Sequence, residues 1–339
     1  MAKLSIAEAL REAIREEMRL NERVFCLGED IDVDGGFGGA FTVTLGLSKE
    51  FGHERILDTP ISEIMIAGAA VGAAMTGMVP IADVQYGDFL FCMMDQLANN
   101  AAKMTYMSGG AIKVPMVMRA PVGATTRGAQ HAQSLEGFFT HIPGLKIICP
   151  STAYDAKGLL KTAIRDNNPV VVFEHKLLYG SKGNRAEKSA LSPVGEVPDE
   201  EYLIPFGKGV VRREGRDITI VANLLMVYRS LEAAEILENE GISVEIIDPR
   251  TLVPFDYDLV IESIKKTSRL IIVEEDTRTN GWGAEIAAQI AEIGFYYLDA
   301  PIVRVASYDV PIPFAPVMEN FVVPSAARIA DAAKKLMKS

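Results

Sequence analysis

The chain has 339 residues, 49% hydrophobic and 23% charged, with 34 Lys+Arg against 45 Asp+Glu and a formal net charge of −11. That length fits two domains of ordinary size, and the hydrophobic fraction excludes a disordered chain. An acidic balance without a basic stripe argues against nucleic acid or an anionic membrane as partner. A positive mean hydropathy of +0.16 beside so much negative charge implies a large apolar area buried somewhere, a burial that another chain could share.

Residues 5–20 set Ile6, Ala9, Leu10, Ala13, Ile14 and Met18 at helical spacing. A short strand, VFCLGED (24–30), leads into a glycine-rich turn, DGGFGG (34–39), and RILD (55–58) reads as the next strand. Thr59-Pro60 then opens a helix, with Pro in its first turn. The run Ile64–Ala82 carries no charge, is bounded by Glu63 and Asp83, and places Gly68 and Gly72 in a GxxxG. It reads either as a membrane span or as a small-residue helix packed in a core or subunit interface. Its Ala/Gly rather than Leu content and the break at Pro80 favour the second.

A strand at 78–84, a helix at 88–107, a strand at 114–120 and a polar loop at 121–133 follow. A strand at 145–150, a helix at 153–166 and the strand PVVVFEH (169–175) complete the first half. Residues 181–201 have linker composition. Beyond them, strands at 217–222, 243–248, 269–276 and 301–307 alternate with helices at 227–240, 256–266 and 282–293. The expected fold class is α/β: two domains, residues 1–180 and 206–339, with mostly parallel sheets, joined by a linker at 181–205.

Several chemistries drop out early. There is no GxxxxGK[ST], and DGGFGG lacks the strand-to-helix layout of a dinucleotide fingerprint. Cys26, Cys92 and Cys149 lie far apart in apolar stretches and read as buried, reduced thiols of a cytoplasmic protein. Four histidines without H-E-x-x-H speak against zinc. The N-terminus has alternating charges and no apolar h-region, so it does not read as a signal peptide.

What remains is Glu63 and the histidines. Glu63 reads as a first-turn glutamate favoured by the helix dipole. Pattern alone favours that reading; a functional one starts from its neighbours, because a carboxyl at the mouth of an all-apolar helix is poorly solvated, which favours a protonated, hydrogen-bonding form. His131, in the polar loop GAQHAQ, is a solvated loop residue or a site residue. His175, ending PVVVFEH, could face a site, whereas His53 and His141 read as surface and turn residues.

The ordered set GED (28–30), LDTPISE (57–63), QYGDF with DQL (85–97), YMSGG (106–110), AQHAQSLEGFF (129–139), PGLKIICPSTAYDAKGLL (143–160) and AIRDNNPVVVFEHKLLYG (163–180) resembles one family. It is similar to the beta subunit of the thiamine-diphosphate-dependent dehydrogenase component of 2-oxo acid and acetoin dehydrogenase complexes, a pyruvate dehydrogenase beta-subunit-like member of the transketolase-like superfamily. IPFGKGVVRREGRDITIVA, IDPRTLVPFD and DAPIVRV in the second half resemble the C-terminal transketolase-like domain.

The resemblance implies a pyrimidine-binding domain followed by a transketolase C-terminal-like domain. It also implies an α₂β₂ heterotetramer holding thiamine diphosphate between alpha and beta subunits, and delivery of the product to a lipoyl acyltransferase core. Mg²⁺ and the pyrophosphate would be held mainly by the alpha subunit through a GDG…NN motif. This chain has only an imitation of it, Gly87-Asp88-Phe89 with Asn99-Asn100, so it is expected to be half of an active site. Glu63 matches the glutamate that hydrogen-bonds the aminopyrimidine N1′ and favours the imino tautomer, assistance typically worth about 10²–10⁴-fold. Phe89 matches the aromatic packed on that ring, and Glu29 matches an acid near the cofactor. His131 matches the histidine beside the reacting centre, where imidazole's titration near neutral pH suits proton transfer. Some relatives hold a structural K⁺ on backbone oxygens at positions matching Met116, Ala163, Ile164, Asp166 and Asn168. The stretch after LYG (178–180) is longer than in typical relatives.

AQHAQSLEGFF with Arg127 leans towards the acetoin-cleaving branch, although mitochondrial pyruvate enzymes share the QH pair. The expected small-molecule substrate is therefore acetoin, with pyruvate or a branched-chain 2-oxo acid as the alternative. A non-catalytic α/β subunit and a self-sufficient transketolase-like enzyme are the competing classes.

Overall fold

Ser5 and Glu8 start the first helix reciprocally. The Ser5 hydroxyl accepts the Glu8 N–H at 3.3 Å, and the Glu8 carboxylate accepts the Ser5 N–H at 2.9 Å. The helix then buries Ile6, Ala9, Leu10, Ala13, Ile14 and Met18, the stripe its spacing predicts. The structure, a computed structural model, describes residues 1–32, 38–181, 187, 191 and 193–339. Residues 34–37 of the expected glycine turn and most of 182–192 lie outside that set.

In chain order, the first half comprises β1 (Ala2–Ser5), α1 (Ile6–Leu20), β2 (Val24–Glu29), α2 (Leu47–Phe51), β3 (Ile56–Thr59), α3 (Glu63–Met75), β4 (Val79–Asp83) and α4 (Ala102–Met107). It continues with β5 (Val117–Val122), α5 (Glu136–Thr140), β6 (Lys146–Ile148), α6 (Ala153–Ile164) and β7 (Val170–His175). β8 (Val194–Val197) lies in the expected linker and pairs antiparallel with β1. The second half has β9 (Val210–Arg213), β10 (Ile218–Ala222), α7 (Leu225–Glu238), β11 (Val244–Asp248), β12 (Thr251–Val253) and α8 (Tyr257–Thr267). β13 (Leu270–Thr277), α9 (Trp282–Ile293), β14 (Val303–Ser307), α10 (Pro316–Val322) and α11 (Ala326–Leu336) complete it.

The apolar, β-branched strands build two sheets. One has the order β12-β6-β7-β5-β4-β2-β3 and is parallel apart from β12; the other has the order β14-β13-β10-β11-β9 and is parallel apart from β9. β12 belongs by sequence to the second half, yet it pairs antiparallel with β6 of the first sheet. The halves are also tied by buried ion pairs: Arg212 reaches both Asp155 and Asp248, and Arg250 reaches Asp155 at 2.8 Å.

Four local readings need correction. The helix expected to open at Thr59-Pro60 starts at Glu63, with Ser62 at the N-cap and the Ile66 N–H bonded to the Ser62 carbonyl. The charge-free run does not form one helix, because a turn at Thr76-Gly77 separates α3 from β4. Among the described residues no helix is long and apolar enough to cross a membrane. The helix expected at 88–107 resolves into a 3₁₀ segment (Gly87–Met93), a π segment (Asp95–Ala101) and α4. Asp95 sustains the wide π turn: its carboxylate accepts from Asn99 at 2.8 Å and its carbonyl from Asn100 Nδ2 at 3.1 Å. The 3₁₀ segment also turns Cys92 outward, so only Cys26 and Cys149 are buried.

Candidate active site

Strands β2, β3, β4, β5 and β7 are mutually parallel, so their carboxyl ends share one edge. After β2 the chain goes to β3 on one side, then returns to β4 on the other. In open α/β sheets such a reversal leaves a crevice at the strand ends, the usual place for a ligand. The two strands meet closely there: a Cβ on Gly28 would lie 2.7 Å from the Asp83 carbonyl oxygen.

Glu29 ends β2, and Gln85, just beyond β4, donates to its carbonyl at 2.9 Å. Burial raises the proton affinity of the Glu29 carboxyl, and the carboxylates of Asp30, Glu63 and Asp58 raise it further. Glu63 begins α3, half-buried, so the two acids face the same crevice. Next to it Ile61, Ile64 and Met65 are exposed to 75%, 60% and 41%, an apolar rim on the open side.

Beyond β4, Tyr86 and Phe89 meet His131. The His131 ring lies 4.9 Å from Tyr86 and 5.3 Å from Phe89, both edge-on, and the two aromatics are 5.9 Å apart. His131 sits on the loop between β5 and α5. Beneath it Lys176, directly after β7, donates to the His131 carbonyl and lies 5.1 Å from the Tyr86 ring centre. Burial lowers the Lys176 ammonium to about 8, against the pull of Asp88 and Glu275. Asp88 is buried and accepts Gln133 Nε2 at 2.7 Å, while its second oxygen is buried without a partner among the described residues. Arg119 braces the strands under this edge, pairing with Asp83 and bidentately with Glu174 at 3.0 and 2.6 Å.

The sequence-predicted residues therefore separate into groups. Glu29 and Glu63 come together, and Phe89 meets His131. The imitation motif does not converge, since Asp88 serves Gln133 whereas Asn99 and Asn100 serve Asp95. Met116, Ala163, Ile164, Asp166 and Asn168 lie at the opposite, amino edge of the sheet, before β5, at the end of α6 and before β7. There the Met116 carbonyl accepts the Val170 N–H, and the Ala163 carbonyl is shared by the Arg165 and Asp166 N–H groups at the end of α6. The Asp166 carboxylate is already engaged by Lys146 and by Asn168. His175 faces Glu275 at 2.8 Å in the seam between the two halves, and exposed His53 pairs with Asp32. A cavity of about 1010 Å³ lies away from this crevice, between the halves, with Phe138, His141, Phe255, Tyr257 and Trp282 in its wall.

Tyr86, Lys176 and Gln133 escaped the sequence reading as site residues. Tyr86 and Gln133 sit inside motifs that were singled out, and Lys176 follows a strand end, where site residues gather in parallel sheets.

Residues 2–182 match the family model "Transketolase, pyrimidine binding domain", and residues 207–329 match "Transketolase, C-terminal domain". The chain is 48% identical to the acetoin:2,6-dichlorophenolindophenol oxidoreductase subunit beta of Cupriavidus necator, over 99% of this chain and 98% of the relative. It is 46% identical to the pyruvate dehydrogenase E1 component subunit beta of Rhizobium meliloti, over 98% and 70%. It is 45% identical to the 2-oxoisovalerate dehydrogenase subunit beta of Bacillus subtilis, over 99% of each chain. A solved structure described as a split gene transketolase, an inactive beta4 tetramer, shares the fold with a TM-score of 0.76 at 23% identity, over 99% of both chains.

Proposed function

The chain belongs to the transketolase-like family that includes the beta subunits of 2-oxo acid and acetoin dehydrogenase E1 components, and from that premise we propose that it is one half of a thiamine-diphosphate active site. The observation that carries this reading is the open crevice at the sheet reversal. It gathers two acids, Glu29 and Glu63, beside an aromatic and histidine cluster, and an exposed apolar rim borders it.

The donor set fits the pyrimidine end of the cofactor. A carboxyl at Glu63 can hold a hydrogen bond to a ring nitrogen, Phe89 offers a flat apolar face, and Glu29, whose proton affinity burial raises, lies beside Glu63 in the crevice. Bound here, thiamine diphosphate would supply a nucleophilic carbon for the substrate carbonyl and a sink for the electrons of the C–C bond that breaks. Glu63 orients and holds a proton at the pyrimidine. His131 exchanges a proton with the substrate oxygen and supplies one as the acyl or hydroxyalkyl group passes to a lipoyl sulfur. Phe89 and Tyr86 fix the imidazole edge-on and exclude water from one side of it. Mg²⁺ and the pyrophosphate fall to an alpha subunit, in an α₂β₂ assembly that passes the acyl group to a lipoyl acyltransferase in the cytoplasm. The K⁺ of some relatives would rest here on the backbone oxygens near Met116 and Ala163, because Lys146 already neutralises Asp166.

Acetoin is the substrate we favour, on Arg127 and the AQHAQ loop and on the relative from Cupriavidus necator. Pyruvate and branched-chain 2-oxo acids are the alternatives, since relatives with those names lie within three percentage points of identity. Steady-state rates of the chain reconstituted with its alpha partner on acetoin, pyruvate and 2-oxoisovalerate test the choice. The reading expects acetoin to give the highest kcat/KM, and a preference for either 2-oxo acid overturns it.

A further inference from the structure

The loop carrying His131 is tied down by side chains from distant parts of the chain. Its base closes through the Gly123 N–H donating to the Gln133 carbonyl at 3.1 Å. Gly123 has φ +95°, and a Cβ there would lie 2.0 Å from His175 Nε2, so no other residue fits this turn. Asp88 holds Gln133 and Lys176 holds the His131 carbonyl, both from the first half.

The remaining ties come from the second half. Glu275 of β13 accepts the Ala124 N–H at 2.6 Å, and Glu319 of α10 accepts the Thr126 N–H at 2.7 Å. Ala124 and Ala132 of the loop form a small separate core with Ile312 and Val322, which flank α10 or lie in it. Phe314 closes against Gly128. The Glu319 contact is the telling one, because Thr126 has φ +57°. A β-branched residue is rarely found in that left-handed region, and such strain persists only where the surroundings enforce it.

We propose that Glu319 is a positioning residue: its carboxylate holds the strained Thr126 amide and so fixes the loop that sets His131 against Tyr86 and Phe89. The second domain thereby helps to shape a site whose strands and acids all belong to the first. This rests on the functional reading given above for His131. Glu319 is suited to the task. Its helix leaves Val317, Met318 and Phe321 largely exposed and turns Glu319 and Val322 inward towards the loop. Burial raises the proton affinity of Glu319, and Glu275 adds to this; the Thr126 N–H, Lys176 and His175 oppose it.

The test uses the complex of this chain with its alpha partner, carrying Glu319→Ala, Glu319→Gln or His131→Ala. Displacing a reacting group slightly can cost up to about a hundredfold in rate, so Glu319→Ala is expected to lower kcat about tenfold or more. KM stays nearly unchanged, and amide hydrogen exchange accelerates in peptides covering 123–133 alone. Glu319→Gln keeps an acceptor oxygen and restores most of the rate and the protection. Unchanged exchange in 123–133, or acceleration spread over both domains, overturns the proposal. So does a loosened loop with full activity while His131→Ala is inactive. If His131→Ala is also fully active, the functional reading fails together with the proposal.

Discussion

The two parallel sheets present their carboxyl edges differently. The first ends in Glu29, the Glu63 helix, Tyr86, Phe89 and the His131 loop, much of it half-buried and open on one side. The second ends in Asn223, Asp248, the Glu274–Asp276 run and Ser307, all buried. Glu274 is bound by Arg304 at 2.6 Å and by the Gly283 N–H at 2.7 Å; Asp276 accepts the Gly137 N–H at 2.9 Å. At one edge Glu29 and Glu63 therefore stay half-exposed in an open crevice, and at the other the carboxylates are buried and engaged, Glu274 within its own half and Asp276 across the seam. In two sheets of the same type, what distinguishes a site from a seam is whether the carboxylates at the strand ends face an open crevice or a packed neighbour.

That contrast can be broken at several points. At the open edge, His131→Ala is expected to lower kcat of the assembled complex by about 10²–10⁴-fold with the melting temperature unchanged. A thermal shift accompanying the loss would make His131 a structural residue. At the sealed edge the reverse holds. Glu274→Ala strands Arg304 without its carboxylate, a loss of about 3–5 kcal/mol of stability for a buried pair, read by denaturant unfolding. The molecules that remain folded keep their kcat.

A third prediction concerns the rim. In α3, Gly72 is exposed and has no atom within 4 Å of where a Cβ would sit. Gly72→Leu should leave the isolated chain folded and prevent its assembly, as measured by light scattering. Normal assembly would remove α3 from the interface.

The smallest effect lies in the seam. Burial, with the carboxylates of Asp276 and Glu275 adding to it, raises Glu136 to about 8, although Asn223 donates to it at 3.4 Å. Burial raises Asp276 to about 7, opposed by the Gly137 N–H and helped by Glu274. The ordinary values are 4.5 and 3.8, so the folded chain holds protons that the unfolded chain has already released. Their stabilisation is complete below those ordinary values and is lost as pH rises through 7 to 8. The melting temperature should fall between pH 6 and pH 9. Glu136→Gln should flatten that fall and lie about 2–4 °C higher at pH 9, as about 1 kcal/mol shifts a domain of this size. Parallel pH profiles for the two proteins would contradict the assignment.

Much of the fold was legible because burial leaves a periodic trace. The helix expected at 282–293 is observed over Trp282–Ile293, and the four strands expected in the second half fall within two residues of their bounds, whereas Val210–Arg213 and Thr251–Val253 form strands that were not expected. What periodicity does not encode is the partner of each buried face. The sequence gives no sign that Thr251–Val253 crosses to pair with β6, or that Val194–Val197 covers β1. The broken helix at 88–107 was missed because Asp95 and two asparagines, ordinary polar residues in sequence, override an apolar pattern. In the candidate site, Glu63, Phe89 and His131 are proposed from motifs. The Thr126–Glu319 contact spans 193 residues and joins a loop to a helix that carried no motif, so only the folded chain reveals it.

The central claim is that the open edge is one half of a cofactor site. Calorimetric titration of thiamine diphosphate and Mg²⁺ into the isolated chain, into the alpha partner and into their complex tests it most directly. The account predicts saturable binding to the complex and none to this chain alone. Saturable binding by the isolated chain would contradict it.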